Sequence, residues 1–94
     1  MKIETRVEQD IHILVITGRL DALTAPEAEV VLNRAVDDGA SRMVVNLAGL
    51  EYISSAGFRV LLVAARQASE TNGAIALAAV AGKVRQLFDL GGFL

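Results

Sequence analysis

Between two stretches of helical spacing lies a short run, Met43-Val44-Val45-Asn46-Leu47, that is almost wholly apolar. A strand with one wet face alternates apolar and polar residues, whereas a run this uniform reads as a strand covered on both faces, here by neighbouring helices. That placement commits the chain to an α/β design in which parallel strands are joined by right-handed helical crossovers. Before the run, Thr24-Ala25-Pro26-Glu27 sets a capping Thr three residues ahead of Glu with Pro in the first turn, a helix start. Ala28, Val31, Leu32, Ala35 and Val36 then follow at helical intervals, and Gly39 sits where a left-handed C-terminal cap belongs.

The flanks extend the pattern. Near the N-terminus Ile3 and Val7 alternate with Lys2, Glu4, Arg6 and Glu8, as in an edge or outer strand. Gln9-Asp10 interrupts without a strong hairpin dipeptide, and Ile11 to Thr17 is a β-branched run that ends at Gly18. Residues 48–54 have no helical period and read as a connection with at most a brief extended stretch. Ser54 or Ser55 then caps a second helix running to about Thr71, with Phe58, Leu61, Leu62, Ala65 and Ala68 on one face, widened by Val60, Val63 and Ala64. Ala74 to Val80 is a further strand, and Lys83 to Leu90 a short third helix stopped by Gly91-Gly92. The expected fold is a mixed sheet of about four strands covered by about three helices.

Composition excludes much chemistry. At 94 residues the chain is expected to be a single domain, residues 1–94, long enough to bury a cooperative core. With no cysteine there is no disulfide, thiolate nucleophile or cysteine-bound metal, and a single histidine, His12, gives no basis for a metal site. No cofactor is expected. A net charge of -2 with scattered Lys and Arg lacks the electrostatic drive for nucleic acid. Arg59, Arg66 and several glycines interrupt the apolar runs well short of a bilayer span, and Met1-Lys2-Ile3-Glu4 has no signal-peptide core, so a cytoplasmic protein without direct membrane insertion is expected.

The stretch that stands out is Tyr52-Ile53-Ser54-Ser55-Ala56-Gly57-Phe58, where two hydroxyls meet the N-terminus of a helix. A serine there is first of all a cap, contributing about 1 kcal/mol relative to Ala. Capping accounts for one serine, and the free N–H groups and partial positive charge of the same terminus suit a phosphorylated one.

Val44-Val45-Asn46-Leu47 followed by Tyr52-Ile53-Ser54-Ser55-Ala56-Gly57-Phe58-Arg59-Val60-Leu61-Leu62 resembles the signature of STAS domains, the bacterial anti-sigma factor antagonists. Thr17-Gly18-Arg19-Leu20-Asp21 is similar to the family's strand ending in Gly-x-Leu-Asp, and Val84 to Phe93 to its late helix and Gly-hydrophobic step. The resemblance implies a STAS fold and a binding module, not an enzyme. Its partner would be an anti-sigma factor serine kinase, a histidine-kinase-like ATPase, captured by the unphosphorylated protein and released on phosphorylation of Ser55. The implied contact surface comprises Asp21, the loop from Gly49 through Glu51 and Tyr52 to Ser54, Gly57, and the exposed start of the helix at Phe58 and Arg59. Two positions depart from the usual Asp-Ser-Ser/Thr-Gly loop: Ser54 replaces the Asp and Ala56 the second hydroxyl. Family members also continue past the Gly-hydrophobic step into another strand and helix, which this chain is expected to lack, leaving an apolar edge open to homodimerisation. The alternative is a STAS subunit acting as a constitutive scaffold or regulator in a membrane transport complex or signalling assembly, with both serines as caps.

Plainer roles stand beside these. Asp21 suits a turn residue bonding nearby backbone, Asn46 a loop-orienting hydrogen bond, and Arg59 simple solvation. Glu51 has no second carboxylate beside it for acid–base work. As a nucleophile Ser55 would need an activating base, but His12 lies on an early strand and Gly-x-Ser-x-Gly spacing is absent.

Overall fold

The computed structural model describes residues 1–39 and 42–78. Its elements are β1 (Lys2–Glu8), β2 (Ile11–Leu20), α1 (Ala25–Asp37), β3 (Arg42–Asn46), β4 (Leu50–Ile53), α2 (Ser55–Glu70) and β5 (Ala74–Ala78). Among the described residues the sheet runs β1-β2-β3-β5, with β4 paired to β2 beyond the end of β3. β1 is antiparallel to β2, and the remaining pairs are parallel, so the mixed α/β architecture is as expected. The helix expected over Lys83 to Leu90 and the Gly91-Gly92 step lie outside the described residues.

β1 and β2 meet at Gln9-Asp10, whose φ values of 49° and 68° are both positive, as a two-residue type I′ hairpin turn requires. The strand after it does not end at Gly18. At φ +93° Gly18 takes a conformation that L side chains rarely adopt, and the strand runs on through Arg19 to Leu20. Those added residues pair with β4, a strand in the stretch read as a connection: Gly18 opposes Leu50, Arg19 opposes Tyr52 and Leu20 opposes Ile53. Glu51 is passed over in that register, a bulge that puts Leu50 and Ile53 both in the core although they are three apart.

One side of the sheet, bearing Leu14, Ile16, Met43 and Val45, forms the core with Ala28, Leu32 and Val36 of α1 and Phe58, Leu61, Ala64 and Ala68 of α2. The opposite side carries Ile13, Val15 and Val44, each half-buried. In α2 the buried stripe is rotated from the expected one: Val60 and Ala64 face inward, whereas Leu62 is 50% exposed. Asn46 Oδ1 accepts the Ala48 amide at 2.9 Å, turning the chain from β3 towards β4 as its loop-orienting role required.

Candidate functional site at the start of α2

β2 and β4 end side by side, and each hands its chain to a helix. The Ser54 amide donates to Leu20 O at 2.9 Å, fixing the start of α2 beside the end of β2. Ser54 is extended (φ -96°, ψ 174°), and its Oγ accepts the Gly57 amide at 3.3 Å while its carbonyl accepts the Phe58 amide at 3.0 Å. Ser54 is therefore the cap. Ser55, the first helical residue, is exposed. The two hydroxyls are divided between two environments, one facing the helix and one facing solvent.

Gly57 lets the helix approach this closely. A Cβ there would stand 2.8 Å from Ile53 Cγ1, Leu20 Cγ and Leu20 O, so any side chain would push α2 off the strand ends. Gly57 is buried, and so is Phe58, at 7% exposure. The expectation that Phe58 is exposed at the start of the helix is corrected: its ring lies in the core, and Gly57 packs against the strand ends. Arg59 is exposed and, with Ala22, Pro26, Ala56, Val60 and Val63, lines a groove of about 280 Å³ between α1 and α2.

Across from Ser54, Asp21 closes the β2–α1 turn on itself. Its Oδ1 accepts the amides of Leu23 at 3.0 Å and Thr24 at 3.2 Å. The Thr24 hydroxyl accepts the Asp21 amide at 2.9 Å and donates to Arg19 O at 2.8 Å. The expected capping box of Thr24 and Glu27 does not form, because that hydroxyl is engaged on the turn and makes no cap to α1. The Thr24 amide above all, with the Leu23 amide, the Thr24 hydroxyl and the Arg19 guanidinium, holds the Asp21 carboxyl below the usual carboxylate range against the opposing effect of burial. Arg19 stacks over Tyr52, 4.4 Å from the ring centroid, and its Nε lies 3.8 Å from Asp21 Oδ2.

The site thus gathers Asp21, Tyr52, Ser54, Ser55 and Arg59 around the paired ends of β2 and β4. Gly49 is not among them. It sits at the other end of β4, about 15 Å away along extended chain, where its carbonyl accepts the Gly18 amide at 3.0 Å and a Cβ would collide with Thr17. Glu51 is the exposed bulge residue. Two residues escaped the sequence reading: Arg19, the variable position of the Gly-x-Leu-Asp pattern, and Leu23, 91% exposed at the turn tip. Among the described residues no group of three His, Asp or Glu could hold a metal ion, and no helix is long and apolar enough to cross a membrane.

The family model of the STAS domain matches residues 2–94, and the chain belongs to that family. A Bordetella bronchiseptica protein, BtrV, named for an inferred role as an anti-sigma factor antagonist, is 38% identical over 82 residues, which are 87% of this chain and 71% of the relative. The anti-sigma-B factor antagonist of Staphylococcus epidermidis is 28% identical over 92 residues, 98% of this chain and 85% of its own. The Bacillus antagonist SpoIIAA has the same fold: its unphosphorylated form superposes with a TM-score of 0.77 at 20% identity over 96% of this chain and 84% of its own. Its phosphorylated form gives 0.77 at 19% identity over 98% and 85%.

Proposed function

We propose that the chain is an anti-sigma factor antagonist of the cytoplasm: unmodified, it binds an anti-sigma factor serine kinase, a histidine-kinase-like ATPase, and phosphorylation of Ser55 releases it. It acts by binding and not by catalysis. The observation that carries this reading is the division of labour at the start of α2. Ser54 caps the helix, so the exposed Ser55 hydroxyl is available for modification without loss of the cap. A phosphate on Ser55 would lie at a helix N-terminus with Arg59 one turn on, where an anion is tolerated, so the fold should persist. Its charge of about -1.5 to -2 would be felt by the partner instead, opposing docking to a nucleotide-laden kinase. Asp21, Tyr52 and Arg59 are the contacts proposed to flank it.

Incubation with the cognate kinase and Mg-ATP, followed by phosphopeptide mapping, should place the label on Ser55 and nowhere else. Ser55→Ala should bind the kinase as the unmodified protein does, whereas Ser55→Asp should bind at least about tenfold more weakly. Ser54 in place of the usual Asp favours the second reading, a constitutive scaffold subunit. Equal retention of one partner by Ser55→Asp and the unmodified protein would establish that reading and sink the switch.

A further inference from the structure

β1 is the outer strand of the sheet, paired with β2 along its whole length and, among the described residues, with nothing on its other side. It is seven residues long, carries no proline, and is exposed at six positions. Edges of this kind are ordinarily blunted by charge. Here the charges alternate in sign on one face, Lys2, Glu4, Arg6 and Glu8, while Ile3, Thr5 and Val7 line the helix-facing side opposite Ile16, Leu14 and His12.

We propose that this edge pairs antiparallel with β1 of a second copy of the chain, about a two-fold axis through Thr5, joining two sheets into one. The sequence is self-complementary in that register. Lys2 falls opposite Glu8 of the copy, Glu4 opposite Arg6, Ile3 opposite Val7, and Thr5 opposite itself. A shift by two residues sets Glu4 against Glu4 and Lys2 against Arg6, or Arg6 against Arg6 and Glu4 against Glu8, and like charges directly opposite are unfavourable. A shift by one sets Ile3 and Val7 against charged side chains. Larger shifts leave only a few paired residues. One arrangement therefore survives, and it is isologous, as a closed dimer requires.

Further observations agree with it. Val7 is 60% exposed on the helix-facing side, and in the pair it would lie against Ile3 of the copy. The ion pairs within the strand, Lys2–Glu4 at 2.9 Å and Arg6–Glu8 at 3.5 Å, leave both cations and both carboxylates at least 60% exposed, free to form a four-charge ladder across the axis. Between the helix-facing side of β1 and α1 lies a cleft of about 450 Å³, lined by Ile3, Thr5 and Val7 of the strand and Val31, Arg34 and Ala35 of the helix. A single seven-residue edge lies at the small end of interface sizes, below roughly 1,200 Å², which implies a weak, reversible, salt-sensitive dimer.

The absence of native cysteine gives a register-specific test. With copper–phenanthroline as oxidant, Thr5→Cys should form a disulfide dimer at least about tenfold faster than the α2 control Arg66→Cys, since residues on the axis approach within disulfide range. Ile3→Cys and Val7→Cys should cross-link poorly alone and readily when mixed. Sedimentation equilibrium of the native chain should show dimer at high concentration. Lys2→Glu/Arg6→Glu and Glu4→Lys/Glu8→Lys should each be monomeric, and their mixture should dimerise. A native monomer up to roughly 1 mM, Thr5→Cys no faster than the control, or charge variants that dimerise like the native chain would each overturn the proposal.

Discussion

α1 and α2 begin in the same place by opposite means. Both α1 and α2 follow strands that end side by side, and both have a hydroxyl residue at the N-cap, Thr24 and Ser54. Thr24 is helical in its own backbone (φ -98°, ψ -17°), and its hydroxyl is tied back to Arg19 and Asp21. Ser54 is extended, and its hydroxyl reaches forward to Gly57. What separates them is where the carboxylate three residues before the cap is held. Asp21, past the end of β2, takes the turn amides and draws Thr24 into the turn, whereas its counterpart Glu51 is the exposed bulge residue within β4. The first arrangement closes a loop; the second leaves Ser55 exposed on a fixed platform.

That contrast can be broken at its packing point first. Gly57→Val should cost about 3 kcal/mol by forcing overlap with Leu20 and Ile53, lowering the melting temperature by roughly 15 °C in a domain of this size. Next, Ser54→Ala should cost about 1 kcal/mol in denaturant unfolding through loss of the cap. A smaller effect should come from Asp21→Asn, and its pH dependence identifies the cause. Because the folded carboxyl titrates below its unfolded value, its contribution is present at neutral pH and lost as pH falls through the lowered folded pKa. The stability gap between native protein and Asp21→Asn, followed by thermal melts from neutral to acid pH, should therefore narrow towards acid. Ser55→Ala should be smallest, within about 0.5 kcal/mol of the native protein.

These local arrangements also mark how far the sequence could be read. β1, α1 and α2 are legible because each repeats one apolar face at its own period, and β3 because a short, uniformly apolar run reads as an interior strand. β4 is not, because the bulge at Glu51 replaces alternation by the spacing of Leu50 and Ile53, which matches no strand template. Gly18 read as punctuation, yet its positive φ bends a strand that continues. Thr24 and Glu27 spell a capping box, and only the carboxylate of Asp21, which competes for the same amides and hydroxyl, shows why none forms. At the site, Ser54 and Ser55 were legible as a pair but not in their separate roles, which follow from the Ser54 amide held by Leu20 O. Phe58 shows the converse error, since a large apolar residue one turn into an amphipathic helix belongs to the core whatever motif surrounds it.

In the proposed switch Ser54 holds the helix while Ser55 carries the signal. Calorimetric titration of the serine-kinase anti-sigma factor with unmodified and with Ser55-phosphorylated protein tests it most directly, with thermal melts of both forms in parallel. Binding by the unmodified form, at least about a tenfold loss on phosphorylation and a fold retained in both are expected. Equal affinities of the two forms, with both folded, would contradict it.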